Sequence, residues 1–324
     1  MTTQSNTSGH HNSPLWRPSA TKASIKARST LLRQVRQFFE DRDVLEVDTP
    51  ILSQHGTTDP YIDSIKTSNG ILQTSPEFAM KRLLCADIGS IYQITKAFRL
   101  GESGRWHNPE FTMLEWYRVG FNHLDLIQEV DAFLIATLGT EPAEVISYQQ
   151  VFLDYVNLDP LLCSDLELAQ IIDDSQLLSG SAQALSRDDQ LNLLFTHCIE
   201  PNIATRKPVV VVGFPASQSA LARINQQDPN VADRFEVYFR GVELANGFYE
   251  LADANEQQQR FEADIAERKR KNLPEIPMDR LLIDALSAGL PDCAGVALGI
   301  DRLLMLKMQA EHINDVLCFP QNRA

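Results

Sequence analysis

The sequence predicts an α+β fold built around an antiparallel sheet, and three observations carry that expectation. Residues 91–117 read as two strands about a polar loop, and residues 234–251 read as a second pair of strands that turns near Arg240-Gly241. Segments of helical periodicity and unequal length separate these hairpins, without the regular alternation that a parallel array would need.

The elements follow in chain order. After Met1, residues 2–13 are only Thr, Gln, Ser, Asn, Gly and His, so the chain is expected to start as a disordered tail, set here at residues 1–24. No apolar core of a signal peptide follows, and hydrophobic runs such as 209–212 are far too short to span a bilayer. His10 and His11 belong to that solvated tail. Leu31, Leu32, Val35, Phe38 and Phe39 recur at helical spacing; burial in the core is the default for them and a dimer face the alternative. Residues 91–99 form a strand, and after the loop 110–117 alternates so that Phe111, Met113, Glu115 and Tyr117 share one face. Leu126, Val130, Phe133, Leu134 and Leu138 mark a helix ended by Gly139. The stretch 154–208 is mostly helical and is expected to be an insertion between strands, with a short β-branched strand returning at 209–214. Residues 255–271 make a long charged helix whose polarity suggests a surface position, and 295–302 a strand running into a helix.

Chemistry concentrates in three of these segments. Glu115 lies on a face with Phe111 and Tyr117, and a buried carboxylate needs an internal Arg or Lys or a ligand amine. Taken alone, the segment also fits an ordinary hairpin with an internal ion pair. Glu236, Glu243 and Glu250 stand seven apart; Glu236 and Glu243 suit oxygen ligation of Mg2+, while a charged, solvent-facing edge strand is the alternative. Small residues at 295, 297 and 299 would let a ligand approach the backbone, and Arg302 in the following helical turn offers a cation for phosphate or for stacking on a base. The glycine register is not that of a dinucleotide fold, and no phosphate loop with a terminal Gly-Lys-Ser/Thr occurs.

Composition narrows the partners. With 29 basic and 43 acidic residues the net charge is -14, which weighs against a polyanion such as tRNA as the main macromolecular partner. The five cysteines are scattered without a Cys-x-x-Cys pair, which suggests neither zinc nor a disulfide framework and fits a reducing cytoplasm.

Phe98-Arg99, His107-Asn108-Pro109-Glu110-Phe111-Thr112-Met113-Leu114-Glu115, Glu243-Leu244-Ala245-Asn246-Gly247-Phe248 and Gly299-Ile300-Asp301-Arg302 together resemble the motifs of class II aminoacyl-tRNA synthetases, in the wording of the lysyl branch. Residues 31–50, ending in Thr49-Pro50, resemble the dimer-interface motif of that class, and the likeness runs over roughly residues 25–320. Fewer than about thirty residues precede the first helix, too few for an anticodon-binding barrel, so only the catalytic domain, residues 25–324, is expected. Phe214-Pro215-Ala216-Ser217-Gln218 and residues 289–299 resemble the elongation factor P lysine ligase family, the truncated paralogue of lysyl-tRNA synthetase.

The resemblance implies a class II catalytic fold, ATP and Mg2+, a lysine or β-lysine donor, elongation factor P as acceptor, a cytoplasmic homodimer and no membrane. It also implies roles. Arg99 would clamp the α-phosphate, and Arg302 would hold the γ-phosphate and cover an adenine resting on Phe111. His107 and Asn108, with Gly101, Glu102, Leu244 and Gly299, would line the nucleotide, and Glu236 and Glu243 would hold Mg2+. Ser75-Pro76-Glu77 would meet the backbone-type amine of the donor beside Asn246 and Ala297, while Glu115, Tyr117 and Glu250 would receive its distal ammonium. Two departures stand out. Gly101 occupies the place of the motif acid, with Glu102 beside it to compensate, and Ala297 stands where full lysyl synthetases have glycine. A non-catalytic sensor of an amino acid or adenylate is the alternative function.

Overall fold

The computed structural model describes residues 14–324. In chain order it holds α1 (Lys22–Glu40), β1 (Leu45–Glu46), β2 (Leu52–Ser53), β3 (Lys66–Thr67), β4 (Gly70–Leu72), α2 (Glu77–Cys85), β5 (Ile91–Phe98), β6 (Glu110–Val119) and α3 (His123–Leu138). Then come β7 (Glu144–Ser147), α4 (Tyr148–Val156), α5 (Asp165–Asp174), α6 (Arg187–Leu194), β8 (Val209–Val212), β9 (Arg234–Tyr238) and β10 (Glu243–Tyr249). The chain closes with α7 (Ala254–Arg270), α8 (Arg280–Ala288), β11 (Cys293–Gly299) and α9 (Ile300–Met308).

Eight strands form the main sheet in the order β1-β5-β6-β11-β10-β9-β8-β7, and β2-β4-β3 form a small second sheet. Pairing is antiparallel through the whole centre, from β5 to β8. The outermost pairs, β1 with β5 and β7 with β8, are parallel. The α+β expectation is met. The parallel edges were not legible, because β1 has two residues and β7 is a mostly exposed four-residue strand with no apolar alternation to mark it.

Alternation divides the side chains between the two faces of the sheet. Leu114 and Trp116 of β6, Val296 and Leu298 of β11, and Phe235 and Val237 of β9 turn one way, into the main core with α1, α3 and α9. Phe39 of α1 stacks on Tyr92 with ring centroids 4.3 Å apart and meets Trp116 edge-on at 5.4 Å. Trp116 Nε1 donates to Glu129 of α3 at 3.1 Å, so the ring buries without an orphaned N–H. The helices end for local reasons: Asn122 and Asp125 make a reciprocal cap at the start of α3, and Gly139 takes a left-handed conformation at its end.

Two boundaries and one burial assignment differ from the sequence expectation. Residues 1–13 of the expected tail lie outside the described residues, while Ser19 and Ala20 donate to the carbonyls of Cys318 and Leu317 and α1 begins at Lys22, inside the range assigned to the tail. The helical stretch between the strands begins at Tyr148, not 154, and α4–α6 build a second apolar cluster against β8. The charged helix α7 is not a surface element only. Phe261 and Arg268 are buried, and Arg268 donates to Asp59 O at 2.8 Å and pairs with Asp63 at 3.1 Å, which escaped the sequence because an arginine in a charged run reads as solvated.

Phe39 has no solvent exposure and joins α1 to the sheet through two aromatic contacts. Phe39→Ala should therefore lower unfolding stability by about 3–5 kcal/mol, read as a lower urea midpoint at unchanged slope.

Candidate active site

The face of the sheet turned away from the main core opens into a cavity of about 910 Å3. Its floor is laid out in rows that the strand register fixes. Glu115 of β6, Ala297 of β11, Asn246 of β10 and Glu236 of β9 are successive cross-strand neighbours, and Tyr117, Gly295, Phe248 and Arg234 form the next row on the same face. β9 and β10 therefore lie inside the sheet, which removes the reading of Glu236 and Glu243 as decoration of an edge strand.

One end of the cavity is anionic. Ser75 Oγ donates to Glu115 Oε2 at 2.7 Å and accepts from Glu77 N at 3.0 Å, where α2 starts; Tyr117 OH donates to Glu115 Oε1 at 2.6 Å. Glu115 thus has hydroxyl partners and no cation. Burial, and then the charge of Glu77, push its carboxyl up to about 8. Glu250 is raised to about 7 by burial, against the pull of Lys81. Lys81 sits 2.7 Å from Glu250 Oε2 and 2.8 Å from Glu77 Oε1. Burial disfavours its charge, but the two carboxylates outweigh that and hold the ammonium above the ordinary lysine value. The internal cation that the sequence left open therefore exists, but it is engaged with Glu77 and Glu250. Asn246 Oδ1 is buried without a partner, an acceptor left for a ligand donor.

The other end is cationic. Arg99, at the exit of β5, lies over the Phe111 ring at 5.2 Å, and its buried Nε has no partner. Glu102 pairs with Arg99 at 3.5 Å and lies 4.0 Å from His107 Nε2, so it stands between two cavity-lining groups. Gly101 does not line the cavity; its φ of +82° serves the loop turn that swings Glu102 in. Arg302 donates to Glu243 O at 2.8 Å and meets His107 Nε2 at 2.6 Å, and burial followed by the Arg302 charge lowers the His107 pKa. Beneath it, buried Asp301 accepts from Thr112 N at 2.7 Å and pairs with Arg28 of α1, which ties the start of α9 to β6.

Between the ends lie the acidic strands. Glu236 is buried, its carboxyl raised by burial against the pull of Arg234, and its oxygens accept from Arg234, Tyr238 and Asn246. Glu243 is more exposed, 3.5 Å from Arg302. Glu200, which follows α6, is pushed up to about 7 by burial and then by Glu243 and Glu236. Among the described residues no three acidic, histidine or cysteine side chains converge as a preformed metal cage. Two crowded oxygen-only ligands completed by phosphate are nevertheless the usual setting for Mg2+.

The cavity brings together every residue picked from the sequence except Gly101: Ser75, Pro76, Glu77, Arg99, Glu102, His107, Asn108, Phe111, Glu115, Tyr117, Glu236, Glu243, Leu244, Asn246, Glu250, Ala297, Gly299 and Arg302. Asn108 is also a structural tie, donating to Glu110 O at 2.6 Å and accepting from Gln321 N at 3.2 Å. Gly295 is small for a different reason from the one expected. A methyl there would collide with the Tyr117 ring and Glu250 Oε1, so the glycine makes room for the protein's own side chains. The sequence missed Lys81, Asp188 and Asn192 of α6, and Gln257, Arg260 and Asp264 of α7; all but Lys81 line the cavity.

The family model described as tRNA synthetases class II (D, K and N) matches residues 10–323. The chain belongs to that family. Within it, the chain is 51% identical over 319 residues to the elongation factor P--(R)-beta-lysine ligase of Vibrio cholerae serotype O1, covering 95% of this chain and 98% of that protein. It is 48% identical over 319 residues, at the same coverage, to the proteins of the same name from Salmonella typhi and Salmonella typhimurium. The class II synthetase fold accounts for the central antiparallel strands, the helices behind them and the open face that carries the site.

In this class II site the proton on Glu115 gives a direct test. Burial raises the Glu115 carboxyl of the folded protein to about 8, so this group's contribution to stability is full below the ordinary carboxylate value and falls as pH rises from there to about 8. Urea unfolding of the wild type between about pH 5 and 8 should show this loss, and Glu115→Gln, which cannot ionise, should lose less stability over the same range; identical pH slopes in the two proteins would contradict it.

Proposed function

We propose that this chain is an ATP-dependent ligase that adenylates a lysine-type donor, (R)-β-lysine foremost, and transfers the acyl group to a lysine side chain of elongation factor P. The observation that carries this is a single cavity with a phosphate-seeking end, where Arg99 Nε is buried and unpartnered, and an ammonium-seeking end, where Asn246 Oδ1 is buried and unpartnered beside Glu77, Glu115 and Glu250. The names of the relatives supply the donor and acceptor. A sensor of a free amino acid would have no use for the cationic end.

The chemistry follows from placement. Glu77, Asn246, Glu115 and Glu250 orient the donor's amines, so its carboxylate points along the floor toward the triphosphate held by Arg99 and Arg302. That carboxylate attacks the α-phosphorus, the bond to the β-phosphate oxygen breaks, and pyrophosphate leaves. A carboxylate needs no general base, so positioning and the two guanidiniums supply most of the rate. The acceptor amine then attacks the acyl carbon, AMP departs, and the amine's proton goes to solvent. Phe111 and Arg302 would sandwich the adenine. Glu236 and Glu243 would hold Mg2+, which when bound neutralises phosphate charge.

The working form proposed is a cytoplasmic homodimer. In support, no helix among the described residues is long and apolar enough to cross a membrane, and the edge strand β1, which packs beside α1, and the segment after it expose Leu45, Ile51 and Leu52. The net charge of -14 argues for a protein acceptor over tRNA.

Pyrophosphate exchange with α-lysine and β-lysine, followed by intact-mass analysis of elongation factor P and labelling of bulk tRNA, tests the proposal. Exchange with a lysine isomer and a mass gain on elongation factor P are expected; preferential labelling of tRNA would overturn the acceptor. Glu243→Gln should abolish exchange while circular dichroism stays unchanged, and near-normal exchange would remove the metal assignment. Ala297 lies in register between Glu115 and Asn246, so its methyl projects among the groups that hold the amines. Ala297→Gly should raise kcat/KM for α-lysine relative to β-lysine, by about tenfold, the scale of one methyl in a closed pocket. An unchanged ratio would locate selectivity elsewhere.

A further inference from the structure

Lys81 stands outside the cavity lining, is 1% exposed, and yet contacts two of the groups that make the anionic end. Its Nζ lies 2.8 Å from Glu77 Oε1, one helical turn back on α2, and 2.7 Å from Glu250 Oε2, just past the end of β10. Glu77 and Glu250 reach the cavity from elements far apart in the chain, and as like charges they repel. A buried ammonium between them draws one oxygen of each inward, leaving Glu77 Oε2 and Glu250 Oε1 for a ligand.

Charge counting sharpens the point. The anionic end holds three carboxyl groups, Glu77, Glu115 and Glu250, and one internal cation, Lys81. Ionised together they leave two negative charges to be matched, whereas a protonated Glu115 reduces that excess to one. A donor with two ammonium groups supports full ionisation, while a donor with one matches the site only with Glu115 still protonated. Without Lys81 the same site carries one more unmatched carboxylate.

We infer that Lys81 is a positioning residue for the donor: by clamping the inner oxygens of Glu77 and Glu250 it fixes the spacing of their outer oxygens and sets the charge of the pocket to that of a diamino acid. The inference rests on the ligase reading above, and it assigns to Lys81 no contact with substrate. Its effect must appear in donor binding and not in nucleotide binding, since Arg99 and Arg302 lie at the other end of the cavity.

The test uses pyrophosphate exchange by the full chain with (R)-β-lysine as donor. Lys81→Ala should raise the donor KM about tenfold or more and leave the KM for ATP within about twofold, because only a charged partner of the donor carboxylates is lost. Ethylamine added to Lys81→Ala should lower the donor KM again by refilling the clamp, an effect that a merely loosened fold would not give. Lys81→Gln keeps a side-chain donor between the carboxylates and guards against loss of the fold; it should show the same donor-selective rise, smaller in size. A donor KM equal to wild type in either folded variant overturns the inference, as does a parallel rise in the KM for ATP that ethylamine fails to reverse. Wild-type protein without exchange on any lysine isomer would instead overturn the ligase reading, which keeps the two failures apart.

Discussion

The register of four adjacent antiparallel strands is the constraint on which the site depends. Because side chains alternate, each step along β6, β11, β10 or β9 sends a residue either into the helical core or onto the open face, and pairing aligns the open-face residues into rows. Trp116 and Val296, seated against α1, α3 and α9, hold Glu115 and Ala297 outward as their chain neighbours. A slip of one residue in β6 or β9 would turn Glu115 or Glu236 into the apolar core, and in β11 it would turn Val296 and Leu298 out of it. Packing energy on one face therefore keeps an expensive polar arrangement in place on the other.

That arrangement is polarised along the floor. At one end the guanidiniums of Arg99 and Arg302 lie among carboxylate, carbonyl, imidazole and aromatic groups, with Arg99 Nε unpartnered; at the other, burial pushes the carboxyls of Glu115 and Glu250 up. Lys81 makes the anionic end tolerable, since its ammonium pairs with two of the three carboxyls that crowd there.

The walls come from elements outside those strands. α6 and the residues after it, with their own apolar cluster around Tyr148, Phe152 and Phe195, bring Asp188 and Asn192 to the cavity. α7 adds Arg260 and Asp264, the latter pushed up to about 6 by burial and bonded to Thr58 at 3.0 Å. Arg28 of α1 reaches Asp301 beside Arg302, which ties the first helix to the cationic end of the cavity.

By itself the sequence determined the α+β class and the hairpins of the central sheet, because those are written in local alternation; the candidate site residues came mostly from the motifs shared with class II synthetases, and all but Gly101 line one cavity. Phe111, Met113, Glu115 and Tyr117 announce a face, and Glu236, Glu243 and Glu250 sit on strands whose pairing a short turn enforces. It could not settle what each charge meets. Lys81 and Glu77 form an ordinary i,i+4 helical pair in sequence, and only the fold brings Glu250 to the same ammonium and buries both of them. Gly295 read as space for a ligand until Tyr117 and Glu250 filled it. The charged helix α7 read as surface until Arg268 found buried carbonyls. The parallel edge strand β7 had no local signature at all. Periodicity records which face a residue takes, but the partner across a cavity, and with it the proton on Glu115 and the clamp on Glu250, exists only when distant segments are packed together.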